Sequence, residues 1–380
     1  MSSLRTLVSF ASSSCLVLAL AACDGEGDPD GGGADAAAGR DAGAGADAGP
    51  DHDAGPDHDA GPGTDAGGRD AGGTPGMAHY FPEGSFFLED VSEAPVAPYS
   101  DAVIASLRRA GGWGNGDRFQ IDFSIEVLRA DASTPRMDFT ETEDFYSPDC
   151  DHVRVPVPPG GRLEGESGYQ CASDGDCHLI VLSPLEDRLY EMWRANIEGG
   201  TFYGGCLAVW DTTRVYPEVG RGDQCTSADA AGFPIAPLLF TADEVAAGEI
   251  AHAIRFILPN DRVRARQYVR PATHGTNTTG DADAPPYGVH FRLRADFPLA
   301  SLPNEGARTV ARALMRYGMY HADGGQIALT AQSDTETTAR WAGLLGPRDL
   351  AMLRVEDFEV IHHSDPIAVT YDCRRTPLRE

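Results

Sequence analysis

The sequence predicts a mainly β fold, an antiparallel β-sandwich or jelly roll with two or three short helices, preceded by a disordered linker. From residue 119 onward, apolar and polar residues alternate in roughly ten short runs, which is the period of a strand that buries one face. Clusters of Gly, Pro, Asn and Asp separate these runs. Strands do not alternate with long helical segments, which argues against an α/β fold.

The clearest run is Phe119–Val127, in which every second residue is apolar and Glu126 lies on the polar face. This pattern is typical of a half-buried strand. Similar runs predict further strands at Val153–Val157, His178–Leu182, Leu189–Trp193, Leu207–Trp210, His252–Leu258, Gly288–Phe297, Gln326–Thr330, Phe358–Ile361 and Ile367–Tyr371.

Helices are fewer. Ser100 is a suitable N-cap for a helix over Asp101–Arg109, and Asn304 is a suitable N-cap for one over Glu305–Tyr317. A third short helix is expected over Pro347–Leu353, because proline is favoured in the first turn.

Residues 1–22 have the pattern of a bacterial lipoprotein signal sequence: a positive charge at Arg5, a short apolar stretch and Leu20-Ala-Ala-Cys23. The small residues before Cys23 fit a narrow peptidase pocket, and the Cys23 thiol accepts the lipid. Acyl chains on Cys23 would anchor the mature protein to a membrane. We therefore expect a location in the cell envelope, facing the periplasm or the exterior.

Residues 23–76 comprise the lipidated cysteine and a segment rich in Asp, Ala and Gly. Large apolar side chains are nearly absent, so burial cannot offset the entropy of ordering the backbone. We predict a disordered tether, followed by one disulfide-bonded globular domain over residues 77–380. We expect this domain to be monomeric.

The charge of the chain excludes several kinds of function. The formal net charge is −28, which argues against a nucleic-acid partner. All 30 basic residues are arginine, so chemistry that needs a lysine is excluded. The chain lacks the sequence motifs of serine hydrolases, zinc proteases and phosphate-binding loops, and we expect no metal or cofactor.

Six cysteines follow the tether, an even number that indicates three disulfides in an oxidising compartment. The preferred pairing joins Cys171 to Cys177 and Cys206 to Cys225, each closing a turn-rich loop. It leaves Cys150 and Cys373 to hold the carboxyl end.

Three carboxylates are candidate catalytic acids or bases. Asp229 lies in a tight turn among small residues, Glu191 shares a strand face with Trp193, and Asp211 follows Trp210 at a strand end. A carboxylate beside an indole provides a stacking surface and a proton donor, as sugar sites require. The structural alternatives are a turn cap for Asp229 or Asp211 and an arginine-paired carboxylate for Glu191.

His274 and Arg292 are candidate substrate-binding residues, together with Trp193 and Trp210. His274 opens a polar loop between two predicted strands, where ligand contacts concentrate. Arg292 alternates with apolar residues and could hold an acidic sugar. A solvated face or salt bridges within this acidic domain would explain Arg292 equally well.

Two segments carry a family resemblance: Thr226-Ser-Ala-Asp-Ala-Ala-Gly232 and His252-Ala-Ile-Arg-Phe256. They resemble a group of secreted bacterial proteins of unknown function, and the resemblance extends over roughly residues 95–361. It implies an extracellular protein. Because some members carry sugar-binding modules, the resemblance favours a polysaccharide ligand and implies no particular reaction.

Two hypotheses follow. The first is a membrane-anchored enzyme that acts on a polysaccharide or envelope glycan by hydrolysis or elimination. The second is a non-catalytic carbohydrate-binding or adhesion module. Convergence of Glu191, Asp229, His274 and Arg292 in one cleft would favour the enzyme, and their dispersal would favour the binding module or a purely structural role.

The lipid anchor is testable by changing its acceptor. Cys23→Ser removes the thiol that takes the lipid, so the variant should move from the detergent phase to the aqueous phase on Triton X-114 partitioning. Unchanged partitioning would contradict the lipoprotein assignment.

Overall fold

The computed structural model describes residues 76–173 and 175–379. The signal sequence, Cys23 and the tether up to residue 75 lie outside the described residues, so their assignments stay predictions.

The described residues contain seventeen strands and four α-helices. The helices are α1 (Ser100–Arg109), α2 (Gly114–Asp117), α3 (Ala242–Ala247) and α4 (Glu305–Arg316). The strands are β1 (Ile121–Ile125), β2 (Leu128–Arg129), β3 (Arg136–Met137), β4 (Thr140–Glu141), β5 (Val155–Pro156), β6 (Leu179–Ser183), β7 (Arg188–Trp193), β8 (Asn196–Glu198), β9 (Thr201–Gly204), β10 (Cys206–Asp211), β11 (Ile254–Leu258), β12 (Gln267–Tyr268), β13 (His290–Leu293), β14 (Met319–Gly324), β15 (Leu329–Gln332), β16 (Phe358–Ile361) and β17 (Ile367–Ala368).

The mainly β prediction is confirmed. The largest sheet has six strands in the order β1-β15-β11-β14-β13-β16, and the next has four in the order β10-β7-β6-β2. Both sheets are mixed, since β1 pairs with β15, β11 with β14 and β2 with β6 in parallel. Parallel pairs need long connections. The connection from β11 to β14 includes α4. The parallel pairing of these two strands is not predictable from short strand runs separated by turns.

The four-stranded sheet is buried on both faces. Ile180 and Leu182 of β6 face the main core, which the larger sheet shares, whereas Leu179 and Val181 face a second core. Burial of both faces explains why β6 is apolar from Leu179 to Leu182. The polar groups of this sheet must therefore find their hydrogen-bond partners inside the protein.

The predicted helices have mixed outcomes. Asn304 caps α4 as expected, accepting a hydrogen bond from the Ala307 backbone N–H at 2.8 Å. At α1 the N-cap is Tyr99, and the Ser100 hydroxyl instead accepts from the Val360 N–H. The helix predicted over Pro347–Leu353 is wrong, because this segment forms turns.

Several elements were not anticipated, among them β14 and α3. Strand β14 directly follows α4. In the sequence, its buried residues continue the apolar pattern of the helix, so no boundary between helix and strand is evident. Helix α3 is short, and it begins with a capping box in which Thr241 and Glu244 each accept a backbone hydrogen bond of the other residue.

Three disulfides link Cys150 to Cys206, Cys171 to Cys177 and Cys225 to Cys373. The Cys171–Cys177 prediction is confirmed. The predicted pairs Cys206–Cys225 and Cys150–Cys373 are wrong, because tertiary contacts set the partners. An antiparallel β-bridge, formed by backbone pairing of Asp151 with Leu207, places Cys150 beside Cys206. The Gln224 side chain donates a hydrogen bond to the Ala368 carbonyl and accepts one from the Thr370 N–H, which brings the carboxyl-terminal segment to Cys225.

Three disulfides indicate an oxidising, extracytoplasmic environment. Within the described residues, no helix has the length and apolar character needed to cross a bilayer.

The disulfides should differ in their contribution to stability. Cys225–Cys373 spans 148 residues and Cys171–Cys177 spans six, so loop-closure entropy favours the longer bridge. Replacing both cysteines with serine should cost about 5 kcal/mol for the long bridge and about 2 kcal/mol for the short one. Denaturant unfolding of the two double variants measures this order, and a reversed order would contradict the entropic argument.

Candidate functional site

Glu191 lies on β7, where the alternation that buries Leu189 and Trp193 also turns its side chain into the main core. The carboxylate is fully buried and accepts hydrogen bonds from Ile235 N–H at 2.9 Å, Ala236 N–H at 2.8 Å and Trp210 Nε1–H at 2.9 Å. Burial raises the pKa of Glu191 to about 7, although these hydrogen bonds act in the opposite direction. Glu191 therefore attaches the segment around Ile235 to the four-stranded sheet.

Asp229 is also fully buried, and it pairs with Arg255 of β11. Its Oδ1 accepts from Arg255 Nε at 2.9 Å and Nη2 at 2.7 Å, and the same Nη2 lies 3.2 Å from Asp323. Burial raises the pKa of Asp229 to about 6, and the charge of Arg255 opposes this. Segments 226–232 and 252–256 thus meet in one ion pair.

Glycine is required at the end of the first segment. Gly232 has a φ of +80°, and a Cβ atom there would lie 2.1 Å from Thr273 Oγ1. The turn that directs Asp229 towards Arg255 therefore depends on the small residue that follows it.

A small cavity of about 30 Å³ lies beside Asp229 and Asp323. Trp193 lines it, with its indole N–H donated to Asp176 at 2.9 Å. A volume of this size holds about one water molecule. A sugar ring does not fit there.

Asp211 and Arg292 lie elsewhere, in structural contacts. Asp211 accepts hydrogen bonds from the backbone N–H and hydroxyl of Thr213 and pairs with Arg188 at 3.0 Å, which is a turn cap. Arg292 of β13 pairs with Glu359 and donates to three backbone carbonyls between residues 91 and 94.

His274 contacts the residue that follows Asp229, and Trp210 binds Glu191. The Nδ1–H of His274 is donated to the Ala230 carbonyl at 2.9 Å, and burial lowers the pKa of this imidazole. Trp210 lines an aromatic cavity of about 220 Å³, together with Tyr216, Phe233 and Tyr320. Glu191, Asp211, His274 and Arg292 line neither cavity. The candidate residues therefore do not line one shared cavity, although Trp210 binds Glu191, and burial and the charge of Glu191 raise the pKa of Asp229.

A larger cavity, here called the groove, has a volume of about 730 Å³. It is formed by the end of β1, the turn at 162–166, the segment after β15 and the turns at 341–349, and Asn304 completes it. Its aromatic wall consists of Phe123 and Trp341, whose ring centroids are 4.6 Å apart. Phe123 is half-buried, so part of its ring remains open to the groove.

Residues from both faces of β1 reach the groove. Phe123, Ser124 and Glu126 all line it, although alternation places Phe123 opposite the other two. The register of β1 against β15 shifts between Asp122 and Ile125, and this irregularity redirects the side chains. The only sequence signal for this site was the position of Glu126 on a polar strand face.

Glu126 is the most buried carboxylate of the groove, with a side-chain exposure of 3%. Its Oε1 accepts hydrogen bonds from Arg162 Nε at 2.5 Å and from Thr335 Oγ1 at 3.2 Å. Its Oε2 has no hydrogen-bond partner among the described residues. One carboxylate oxygen beside the groove is thus left without a donor.

Three further carboxylates are held in place around the groove. Asp334 accepts from the Trp341 N–H at 2.8 Å, and Asp349 accepts from the Gly346 N–H at 2.7 Å. Glu166 accepts from the Ser173 N–H at 2.9 Å. Because backbone groups fix each of these side chains, the polar groups of the groove are preorganised.

The described residues contain two groups of side chains with metal-ligand spacing. Each includes two cysteines, Cys225 and Cys373 or Cys171 and Cys177, which are joined in disulfides. Disulfide sulfurs are not thiolate ligands, so neither group is a candidate metal site.

Comparison with models of protein families, with curated proteins and with solved structures finds no match. The resemblance to secreted bacterial proteins stays a prediction.

The raised pKa of Glu191 predicts a pH dependence of stability. The folded chain keeps a proton up to about pH 7 that the unfolded chain releases near its ordinary pKa of 4.5. This contribution to stability is present below about pH 4.5 and is lost as the pH rises to about 7. The amide in a Glu191→Gln variant would be permanently neutral, and it would keep only one acceptor oxygen of the two that Glu191 offers.

Glu191→Gln should therefore be less stable than the wild type at about pH 4, and the deficit should shrink by about 3 kcal/mol at about pH 8. Denaturant unfolding across this range measures the difference. Glu83→Gln, at an exposed position, is the control for loss of a carboxylate. A deficit that grows with pH would contradict the assignment.

Proposed function

We propose that this protein is a lipid-anchored, extracytoplasmic protein that binds a polysaccharide or envelope glycan in the groove without catalysing a reaction. The observation that supports this best is the combination of the Phe123–Trp341 wall with fixed carboxylates in a cavity of about 730 Å³. Ligand sites generally have volumes of about 300–1,000 Å³.

The chemistry of the groove suits a sugar. The apolar face of a pyranose ring packs against aromatic side chains, and its hydroxyl groups donate hydrogen bonds to carboxylates. The groove offers Phe123 for the first kind of contact and Glu126, Asp334 and Asp349 for the second. The 30 Å³ cavity beside Asp229 cannot serve in this way.

The contacts of the candidate carboxylates favour binding over catalysis. Glu191, Asp229 and Asp211 are each held by structural partners. Two carboxyl groups that act on one glycosidic bond must lie within about 10 Å of each other, on either side of the bond. The residues chosen from the sequence do not share a cavity that could hold the bond.

The anchor and tether support the same function. A Gly-rich segment of the length of the tether has a reach of roughly 40 Å, which would hold the globular part away from the membrane surface. A tethered binding module can then contact glycan strands that lie outside the lipid headgroups.

The test is a polysaccharide-binding screen with the mature chain and two variants. Phe123→Ala removes the open part of the aromatic wall, so affinity for the bound polysaccharide should fall about tenfold, equivalent to about 1.4 kcal/mol. Tyr203→Ala removes an exposed aromatic residue that does not line the groove and should leave affinity unchanged. Isothermal titration calorimetry measures both.

Two results would contradict the proposal. If no polysaccharide binds, the groove is not a glycan site. If reducing ends or unsaturated products accumulate with the wild type, the protein is an enzyme.

A further inference from the structure

We infer that the groove selects glycans that carry free amino groups, an inference that rests on the proposed function and specifies its ligand. Three features of the groove support it: the unsatisfied oxygen of Glu126, the balance of charges around it, and the way Arg162 is engaged.

The first feature is Glu126 Oε2. A buried carboxylate oxygen without a donor is costly, because the oxygen has lost water and gained nothing in exchange. Asp229 Oδ2 shares this condition, but it borders a cavity of only about 30 Å³. Glu126 lines a cavity of ligand size, so a small movement of its shielded Oε2 towards the groove would let a ligand's donor complete its hydrogen bonding.

The second feature is charge. Four carboxylates line the groove, from Glu126, Glu166, Asp334 and Asp349, against the single guanidinium of Arg162. Each carboxylate has one oxygen engaged in the hydrogen bonds described above, and the other makes no hydrogen bond within the described chain. The field of the groove is negative, and the chain has a formal net charge of −28. It attracts ammonium groups and repels uronic acids and sulfated sugars.

The third feature is the arrangement of Arg162. Its Nε is bound to Glu126 and its Nη2 to Thr335, so two of its five N–H groups are directed at protein partners. Nη1 makes no hydrogen bond within the described chain, but the four carboxylates that line the groove oppose the approach of an acidic sugar to it.

An amino sugar satisfies all three features. Its ammonium group can donate a charge-assisted hydrogen bond to Glu126 Oε2, which is roughly twice as strong as a bond from a neutral hydroxyl. The ring to which the nitrogen is attached can pack on Phe123. A fully acetylated sugar keeps an N–H but has no charge.

The experiment compares two oligosaccharides of equal length that differ in this group alone: a β-1,4-linked glucosamine oligomer and its fully N-acetylated counterpart. Calorimetry with the mature chain should give at least tenfold tighter binding of the free amine at low salt. The ratio should fall as ionic strength rises, because salt screens the attraction.

Glu126→Gln keeps the shape of the side chain and an acceptor for Arg162 but removes the charge, so the ratio should fall close to one. Glu166→Gln, at a half-buried position on the rim, should lower the ratio about two- to fivefold, and it tests the inference if Glu126→Gln does not fold. Glu93→Gln, an exposed carboxylate outside the groove, should leave the ratio unchanged.

Equal or tighter binding of the acetylated oligomer, or binding of neutral or acidic polysaccharides alone, overturns the inference and leaves the glycan-binding function intact. Binding of the amine that persists unchanged in both groove variants also overturns it. Absence of binding to every oligosaccharide and polysaccharide overturns both proposals.

Discussion

Asp229 and Arg255 form a buried ion pair that fixes the segment linking the two largest sheets. Arg255 belongs to β11 in the middle of the six-stranded sheet, and Asp229 belongs to the segment that follows Cys225. Farther along, the same segment donates two backbone N–H groups to Glu191 in the four-stranded sheet. Removing one partner of a buried pair typically costs about 3–5 kcal/mol, since the other charge is left without compensation. The relative placement of the sheets depends on this contact.

The pair is supported by a second buried contact. His178 of the segment before β6 binds Glu164 at 2.6 Å and donates to the Ala228 carbonyl at 3.0 Å. Burial lowers the pKa of His178, but the charge of Glu164 outweighs it and raises the pKa to about 10. Glu164 lies in the turn that also provides Arg162 and Glu166 to the groove. The turn at 162–166 therefore connects the buried contacts of His178 to the wall of the groove.

Much of the fold follows from local patterns in the sequence, and the candidate site does not. Alternation located β1, β7 and β16 because those strands have distinct environments on their two faces, and Asn304 was identified because capping is a local interaction. Contacts between residues that are distant in sequence were harder to predict. Cys150 and Cys206 meet because Asp151 pairs with Leu207, and loop length carries no information about that contact. The groove was missed because the irregularity in β1 redirects Phe123 and Glu126 out of simple alternation.

Burial alone does not separate structural carboxylates from candidate binding groups, but an unsatisfied oxygen on a residue that lines a cavity of ligand size distinguishes Glu126. Asp151 is fully buried, and its oxygens accept from Arg221, Arg375 and the backbone N–H groups of Val209 and Leu378. Glu191 is equally buried and equally satisfied. A carboxylate with a full set of internal donors has little capacity left for a ligand, and it is kept because it fixes backbone segments. Glu126 is nearly as buried, yet one of its oxygens has no donor and the residue lines an open groove. The cost of that unmet hydrogen bond would be recovered if a ligand provided the donor, and this is the physical reason to propose the binding site at Glu126 instead of at the better-connected acids of the core.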